Sequence, residues 1–498
     1  MGVGIILLFA VTRLYNLLAV PIFTDEAIYI RWTQIFIADK HQFFISLTDG
    51  KQPLFIWLGY PLVRFLHDPL LGLRLVSVIA GLCSLIGIYF LTKELFKNKK
   101  TAYVAALVYI IYPFSLVYDK LALYDSLLAT FAIWSLYAEV LLVRRRKFGI
   151  ALLTGGIFAG GMLTKSSSFF FLYLLPFSLL LFDFKEKLWK KNLMKWVAFA
   201  VVAVALAVMC YSVLRLSPNY HYIADKNYLF VDPPKVWIKH PFLHASSNLR
   251  FLTEDLISYA TWPLLMLSIT SFFLDRKFLR EKLLLIVWFA APFSALVLLG
   301  SPVFLFPRYI LFMTMPLLVL AAFAIAAIYR LIKPKYIGVA ITAALLLPIA
   351  YKDYFILFDF PKAPIAKLDR EQLIAGYASG VGIRQITDYL NDKSKAGPIY
   401  VGTEGDFGLL PQGIQDYMFG NKNVTIAGYW PVGESPPPQA TNAARTMPAY
   451  FIFYAPCPSC MQTGFAPPGW PLKKIMQFKK IDMDTYTTLY QLMPQYNQ

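Results

Sequence analysis

Apolar runs almost free of charge recur along this chain, and they decide what it can fold into. Residues 5–11, 197–209, 283–299 and 317–328 are of this kind, and short basic clusters separate the runs. In hydrocarbon every backbone amide must find a partner within its own segment or in a closed sheet, so such runs read as spanning helices. Barrel strands alternate polar and apolar positions, and these do not. Only 15% of the residues are charged against 58% hydrophobic, which excludes an ordinary soluble domain. The predicted fold is an α-helical polytopic membrane protein.

A formal net charge of +18 suggests nucleic acid only if it lies on a soluble face. Here basic clusters fall within 93–100, 144–147, 185–195, 276–282 and 330–335, each time between apolar segments. With the N-terminus inside, about eleven crossings put all five clusters on the cytoplasmic side, as the positive-inside tendency asks. No nucleic-acid partner is expected. The first run lacks the basic start and small-residue cleavage site of a signal peptide and is read as the first helix.

The expected spans are 3–21, 70–92, 101–118, 122–143, 149–164, 168–183, 196–215, 256–274, 283–300, 308–329 and 336–351. They make a membrane domain over 1–351, with outer insertions at 22–69 and 216–255. Within the first insertion, residues 28–37 suit a helix lying at the interface with its apolar side in lipid. From Lys352 the composition turns polar and rich in Gly and Pro, and apolar runs shorten to strand length. Residues 352–498 are therefore expected to form an extracytoplasmic α/β domain. Its strands are placed at 398–401, 424–427, 449–453 and 486–492, with a helix at 382–390.

Charged residues at the borders of the spans are candidates for chemistry, because charge beside hydrocarbon is costly. Asp25 and Glu26 follow the first span directly. They read either as a helix N-terminus complementing its dipole or as a general base with a supporting acid. Adjacent side chains on a helix do not share a face, so the two cannot serve one proton together. Lys51 stands between Gly50 and the Pro53 that blocks a helix behind it. It is either a lysine snorkelling to the interface or a point charge for a phosphate. Asp125, beside Asp119 and Lys120 in a short outer turn, Lys165 in another, and Arg308 at the head of the tenth span all emerge on the same side. Each alone could anchor a helix end; as a set they could line one cavity.

Cys83 and Cys210 lie in apolar spans as small hydrophobes, while Cys457 and Cys460 sit in the polar region where a local disulfide could form. His240 and His244 are four apart, but Pro241 and the missing third ligand argue against metal. No dinucleotide, P-loop or serine-hydrolase motif occurs.

The acid pair Asp25-Glu26, the stretch Lys51-Gln52-Pro53-Leu54, Leu123-Tyr124-Asp125-Ser126 and Leu163-Thr164-Lys165-Ser166 together resemble the protein O-mannosyltransferase and aminoarabinose transferase family of polytopic, C-type glycosyltransferases. Pro307-Arg308-Tyr309 with Pro316 is similar to its late-helix pattern, and Tyr377-Ala378-Ser379-Gly380-Val381-Gly382 to the opening of its outer domain. The resemblance implies an inverting, metal-independent transfer of a sugar from a polyprenyl-phosphate carrier to a protein hydroxyl, glycolipid or cell-wall glycan. It implies catalytic roles for Asp25 and Glu26, donor-phosphate binding by Lys51, Arg308 and Lys165, and substrate positioning by Asp125 and Tyr29. No cofactor is expected, and the expected location is the plasma (inner) membrane with the site facing outward. The rival reading, a lipid or sugar transporter or flippase, asks for paired halves or symmetrically broken helices, which the sequence lacks.

Overall fold

The computed structural model describes residues 2–454, 466–467, 469–481 and 485–494. Cys457 and Cys460 lie outside them. The chain divides into two compact units: Met1–Asn16, Phe43–Leu58 and Arg74–Ala366 form the first, and Leu17–Gln42, Gly59–Leu73 and Lys367–Gln498 the second.

The first unit is helical. Six helices in the chain are long and apolar enough to cross a membrane among the described residues: Pro69–Phe96, Tyr124–Arg145, Trp189–Leu216, Arg276–Leu299, Pro307–Leu331 and Lys335–Phe358. Val3–Leu14, Leu54–Phe65, Phe148–Met162 and Ser166–Leu181 are shorter and also apolar. The helix Leu311–Leu331 is the hub, packed against Lys99–Ile110, Tyr124–Arg145, Ala245–Thr270 and Leu279–Leu299. The apolar window of Pro307–Leu331 is 94% buried, against 11% for Lys335–Phe358, so the latter keeps its apolar surface for lipid.

The run expected as one span over 101–118 is two helices, Lys99–Ile110 and Pro113–Tyr118. The ring of Pro113 drives Tyr112 to an extended conformation at φ −76° and ψ 114°, and the helix restarts with the proline in its first turn. Arg13, at the end of the first helix, is fully buried and ion-paired with Asp119 at 3.3 Å. It also donates to the carbonyls of Tyr109 and Ile110 and to the hydroxyl of Ser115. A buried guanidinium needs such saturation to be tolerated, and Asp119 is thereby a structural partner rather than a loop charge.

The second unit is built on a five-stranded sheet of order β2-β1-β3-β5-β4, with β1 Ile399–Glu404, β2 Val424–Tyr429, β3 Ala449–Phe453, β4 Leu472–Lys479 and β5 Tyr486–Leu492. β2, β1 and β3 run parallel, and β5 and β4 antiparallel. Every residue of β1 and β3 is buried, as in strands covered on both faces. β4 lies at an edge, with Lys473, Lys474 and Lys479 blunting it.

The helix Thr24–Ala38 belongs to this unit and packs on Leu409–Tyr417. Ala27, Ile28, Ile30 and Trp32 are buried, so the apolar side expected to enter lipid meets protein instead.

Candidate active site

In the first unit the chain from 49 to 55 is docked at nearly every step. Asp49 accepts a hydrogen bond from Lys226 at 2.6 Å, and Gly50 turns the chain with φ +66°. A Cβ on Gly50 would lie 2.3 Å from the carbonyl oxygen of Tyr222, so neither backbone nor space admits another residue. Gln52 donates through Nε2 to Ser166 Oγ at 2.8 Å, and the Leu54 amide donates to the Leu163 carbonyl at 3.0 Å. Phe55 packs on Tyr124 with ring centroids 5.0 Å apart. Lys51 is thus carried on a fixed strap that joins the stretches around 124 and 163–166.

Those stretches bring the next two candidates together. Asp125 opens the helix Tyr124–Arg145, is buried, and pairs with Lys165 at 2.7 Å. The Lys165 ammonium lies 4.5 Å over the ring of Tyr309. Burial pulls the Lys165 ammonium below its usual range, the Asp125 carboxylate opposes that, and the charges of Arg308 and Lys51 depress it further. Lys51 and Arg308 thus each lie near Lys165. Arg308, only 8% exposed, sits in the single turn Pro307–Ile310, with its guanidinium 4.2 Å from the centre of the Phe306 ring. Lys165, paired with Asp125, therefore has two further cations from separate parts of the sequence near it, and positive charge concentrated in this way suits an anion.

In the second unit, Asp25, Glu26 and Tyr29 lie in the first turns of Thr24–Ala38. Glu26 is fully buried and accepts a hydrogen bond from the Phe23 amide at 3.0 Å, so it closes the helix N-terminus. Asp25, one position earlier, is half-buried on another face. The acid pair is split in this way: Glu26 holds the turn and Asp25 is presented by it. Tyr29 is buried beside Trp32, with ring centroids 5.6 Å apart. The helix entry is pinned from the stretch 376–380. The Ala378 carbonyl accepts from both the amide and hydroxyl of Thr24, Phe23 bridges Ser379, and the Gly380 amide donates to Ile22.

Sequence reasoning missed Gln52 as a tie, Tyr309 as the ring under Lys165, and Lys480. The last is buried and donates to the carbonyls of Gly376 and Tyr377, bracing the stretch that pins the acid helix. A lysine inside the polar region carries no sequence signal of burial. Among the described residues no three His, Cys, Asp or Glu side chains cluster as a metal site.

Residues 51–211 match the family model of dolichyl-phosphate-mannose-protein mannosyltransferases. No curated protein matches the sequence. Among solved structures, ArnT from Cupriavidus metallidurans in the apo state is similar over 98% of both chains at 14% identity, with a TM-score of 0.56. The same protein bound to undecaprenyl phosphate aligns with the same score and identity over 98% of this chain and 96% of its own. The oligosaccharyltransferase AglB from Archaeoglobus fulgidus, in complex with an inhibitory peptide and a dolichol-phosphate, is 13% identical with a TM-score of 0.53. That alignment covers 90% of this chain and 68% of AglB. At these identities the likeness is one of fold: a multi-helix membrane part followed by a small sheet domain.

Proposed function

We infer, from a chain that by its fold and its segment 51–211 belongs with the protein O-mannosyltransferase and aminoarabinose transferase family of C-type glycosyltransferases, that it moves a sugar from a polyprenyl-phosphate carrier to an acceptor. The observation that carries this reading is the nearness of Lys51 and Arg308 to Lys165, which is itself paired with Asp125. ArnT bound to undecaprenyl phosphate and AglB bound to dolichol-phosphate support a polyprenyl phosphate as the anion.

The chemistry assigns each residue a task. The Asp25 carboxylate takes the proton of an acceptor hydroxyl as its oxygen attacks the anomeric carbon. The bond from that carbon to the phosphate oxygen breaks through an oxocarbenium-like state, and the lipid phosphate leaves with the electron pair. Lys51, Arg308 and Lys165 stabilise the charge that develops there. Asp125 holds Lys165 in place, Glu26 fixes the turn that presents Asp25, and Tyr29 helps to position the sugar. Attack from the face opposite the leaving group inverts the anomeric carbon. No metal is required, because the cations do what a bound ion would otherwise do.

The topology that goes with this has the N-terminus inside and about eleven crossings over 1–351, with the loop 22–69 and the α/β part 352–498 on the outer face of the plasma (inner) membrane. The test is transfer of radiolabelled sugar from polyprenyl phosphate into membranes, with Asp25→Asn as control. Label in a product that depends on Asp25 is expected. Label crossing sealed vesicles with the donor intact would mean a transporter.

A further inference from the structure

The second unit contains a cavity of about 310 Å³ away from the helix turn that carries Asp25. Its walls come from the far half of Thr24–Ala38, the end of Leu54–Phe65, the helix Ile383–Ser394 and the end of Leu409–Tyr417. Arg384, Asp388 and Asn391 stand four and three residues apart, so one face of their helix presents all three. Gln34 lies nine residues after Asp25 on one helix, about 14 Å along its axis at ~1.5 Å per residue.

The polar groups here are planar and paired in sign. Arg384 donates to Asp68 at 2.6 Å, faces Asp388 at 3.5 Å, and lies 4.6 Å over the ring of Tyr417. Arg64 uses one arm of its guanidinium on the Tyr60 hydroxyl at 2.6 Å. Two carboxylates offset Arg384, so the walls offer hydrogen bonds more than a net field. Deeper, Gln34 donates through Nε2 to the Asp416 carbonyl at 2.7 Å. The remaining Gln34 Oε1 and both carboxyl oxygens of Asp416 are buried with no hydrogen-bond partner among the described residues. Burial pushes the Asp416 carboxyl well above the usual carboxylate range in spite of the Arg31 guanidinium. Each buried acceptor left unmade costs ~1–3 kcal/mol.

We propose that this cavity is a subsite for one uncharged carbohydrate unit, held by Arg64, Arg384, Asp388 and Asn391, with Gln34 and Asp416 completing its lining. Planar amide, guanidinium and carboxyl groups match neighbouring hydroxyls two at a time, and a volume near the lower end of the ~300–1,000 Å³ range of ligand pockets suits a small polar guest. A phosphate fits less well, since Asp388 lies on the wall beside the arginines and Asp68 occupies Arg384. For its purpose the subsite rests on the glycosyl-transfer reading, to which it adds an acceptor class: a glycan, gripped one helix-length away from the hydroxyl that reacts.

The test is saturation-transfer NMR on the full chain in lipid nanodiscs, free of glycoside detergents, with a panel of neutral methyl glycosides and disaccharides, and with inorganic phosphate as competitor. Arg64→Met and Asp388→Ala alter exposed wall residues, and melting curves check that both fold. Expected is binding of at least one neutral saccharide, weakened at least tenfold in both variants, unchanged in Asp25→Asn and unaffected by phosphate. Absence of saccharide binding, equal binding by the wall variants, or displacement by phosphate overturns the subsite. A chain that transfers sugar but fails these tests keeps its enzyme activity and loses the subsite; a chain that passes them without transferring sugar does the reverse.

Discussion

Gly380 is where the fold meets the chemistry most directly. Its amide donates to the Ile22 carbonyl at 2.8 Å, three residues before Asp25. A Cβ added there would lie 2.4 Å from that same oxygen and 2.6 Å from Ile22 Cγ2, while real Cβ contacts essentially never fall below 3.0 Å. Gly380→Ala therefore displaces the entry of the helix Thr24–Ala38 by at least the difference, 0.6 Å. A misplacement approaching 1 Å at a reacting group costs up to ~100-fold in rate, so a fall of about 10- to 100-fold in kcat is expected. Overpacking adds a destabilisation of about 1–3 kcal/mol, visible as a lower melting temperature. The assay is steady-state transfer from a polyprenyl-phosphate sugar in proteoliposomes. Gly433→Ala serves as control, since its Cβ would come no closer than 3.7 Å to a neighbour. If Gly380→Ala kept full kcat and melting temperature, the claim that the stretch 376–380 sets the position of Asp25 would be wrong.

Lys165→Met removes one cation of the proposed phosphate seat and leaves buried Asp125 without its partner; kcat/KM for the lipid donor should fall about 100- to 1,000-fold, and a change under twofold would refute the role. Stability should depend on pH through two buried groups of the second unit. Burial pushes the Glu404 carboxyl up to about 7, so the folded state holds a proton the unfolded state loses, and stability falls as pH rises from ~4.5 to ~7. Burial pulls the Lys480 ammonium down to about 7, so the unfolded state holds the extra proton, and stability rises between ~7 and ~10.5. Glu404→Gln should remove a fall worth on the order of 3 kcal/mol and Lys480→Met a rise worth on the order of 5 kcal/mol, each read as the pH dependence of the difference in melting temperature from the parent chain; a difference that does not vary with pH would contradict that assignment. EDTA should leave transfer unchanged, whereas inhibition reversed by a divalent cation would refute metal independence.

How much was legible in the residues depended on whether the signal was local. The four expected strands stand close to where β1, β2, β3 and β5 lie, because short apolar runs between Gly and Pro mark buried strands. β4 escaped, since Leu-Lys-Lys-Ile-Met-Gln-Phe-Lys is the lysine-rich spelling of an edge, where exposure breaks the alternation. The helix Leu409–Tyr417 escaped as well, masked by Pro411 and Gly413. Without it, nothing in the sequence tells that the apolar side of Thr24–Ala38 meets protein and not lipid. Among the candidate residues, Asp125, Lys165, Lys51 and Arg308 stand out in the sequence because charge at the border of an apolar run is conspicuous, and all four lie in one unit. The division of labour between Asp25 and Glu26 was not. It turns on the Phe23 amide, a backbone donor whose direction depends on the pinning by residue 378, more than 350 positions away.

The most direct measurement of the central claim is the fate of the carrier. Proteoliposomes holding the purified chain, a polyprenyl-phosphate sugar and an acceptor extract should accumulate free polyprenyl phosphate in step with glycosylated product, of inverted anomeric configuration by NMR, and Asp25→Asn should abolish both. Intact donor, a retained anomer, or undiminished release by Asp25→Asn would contradict the account.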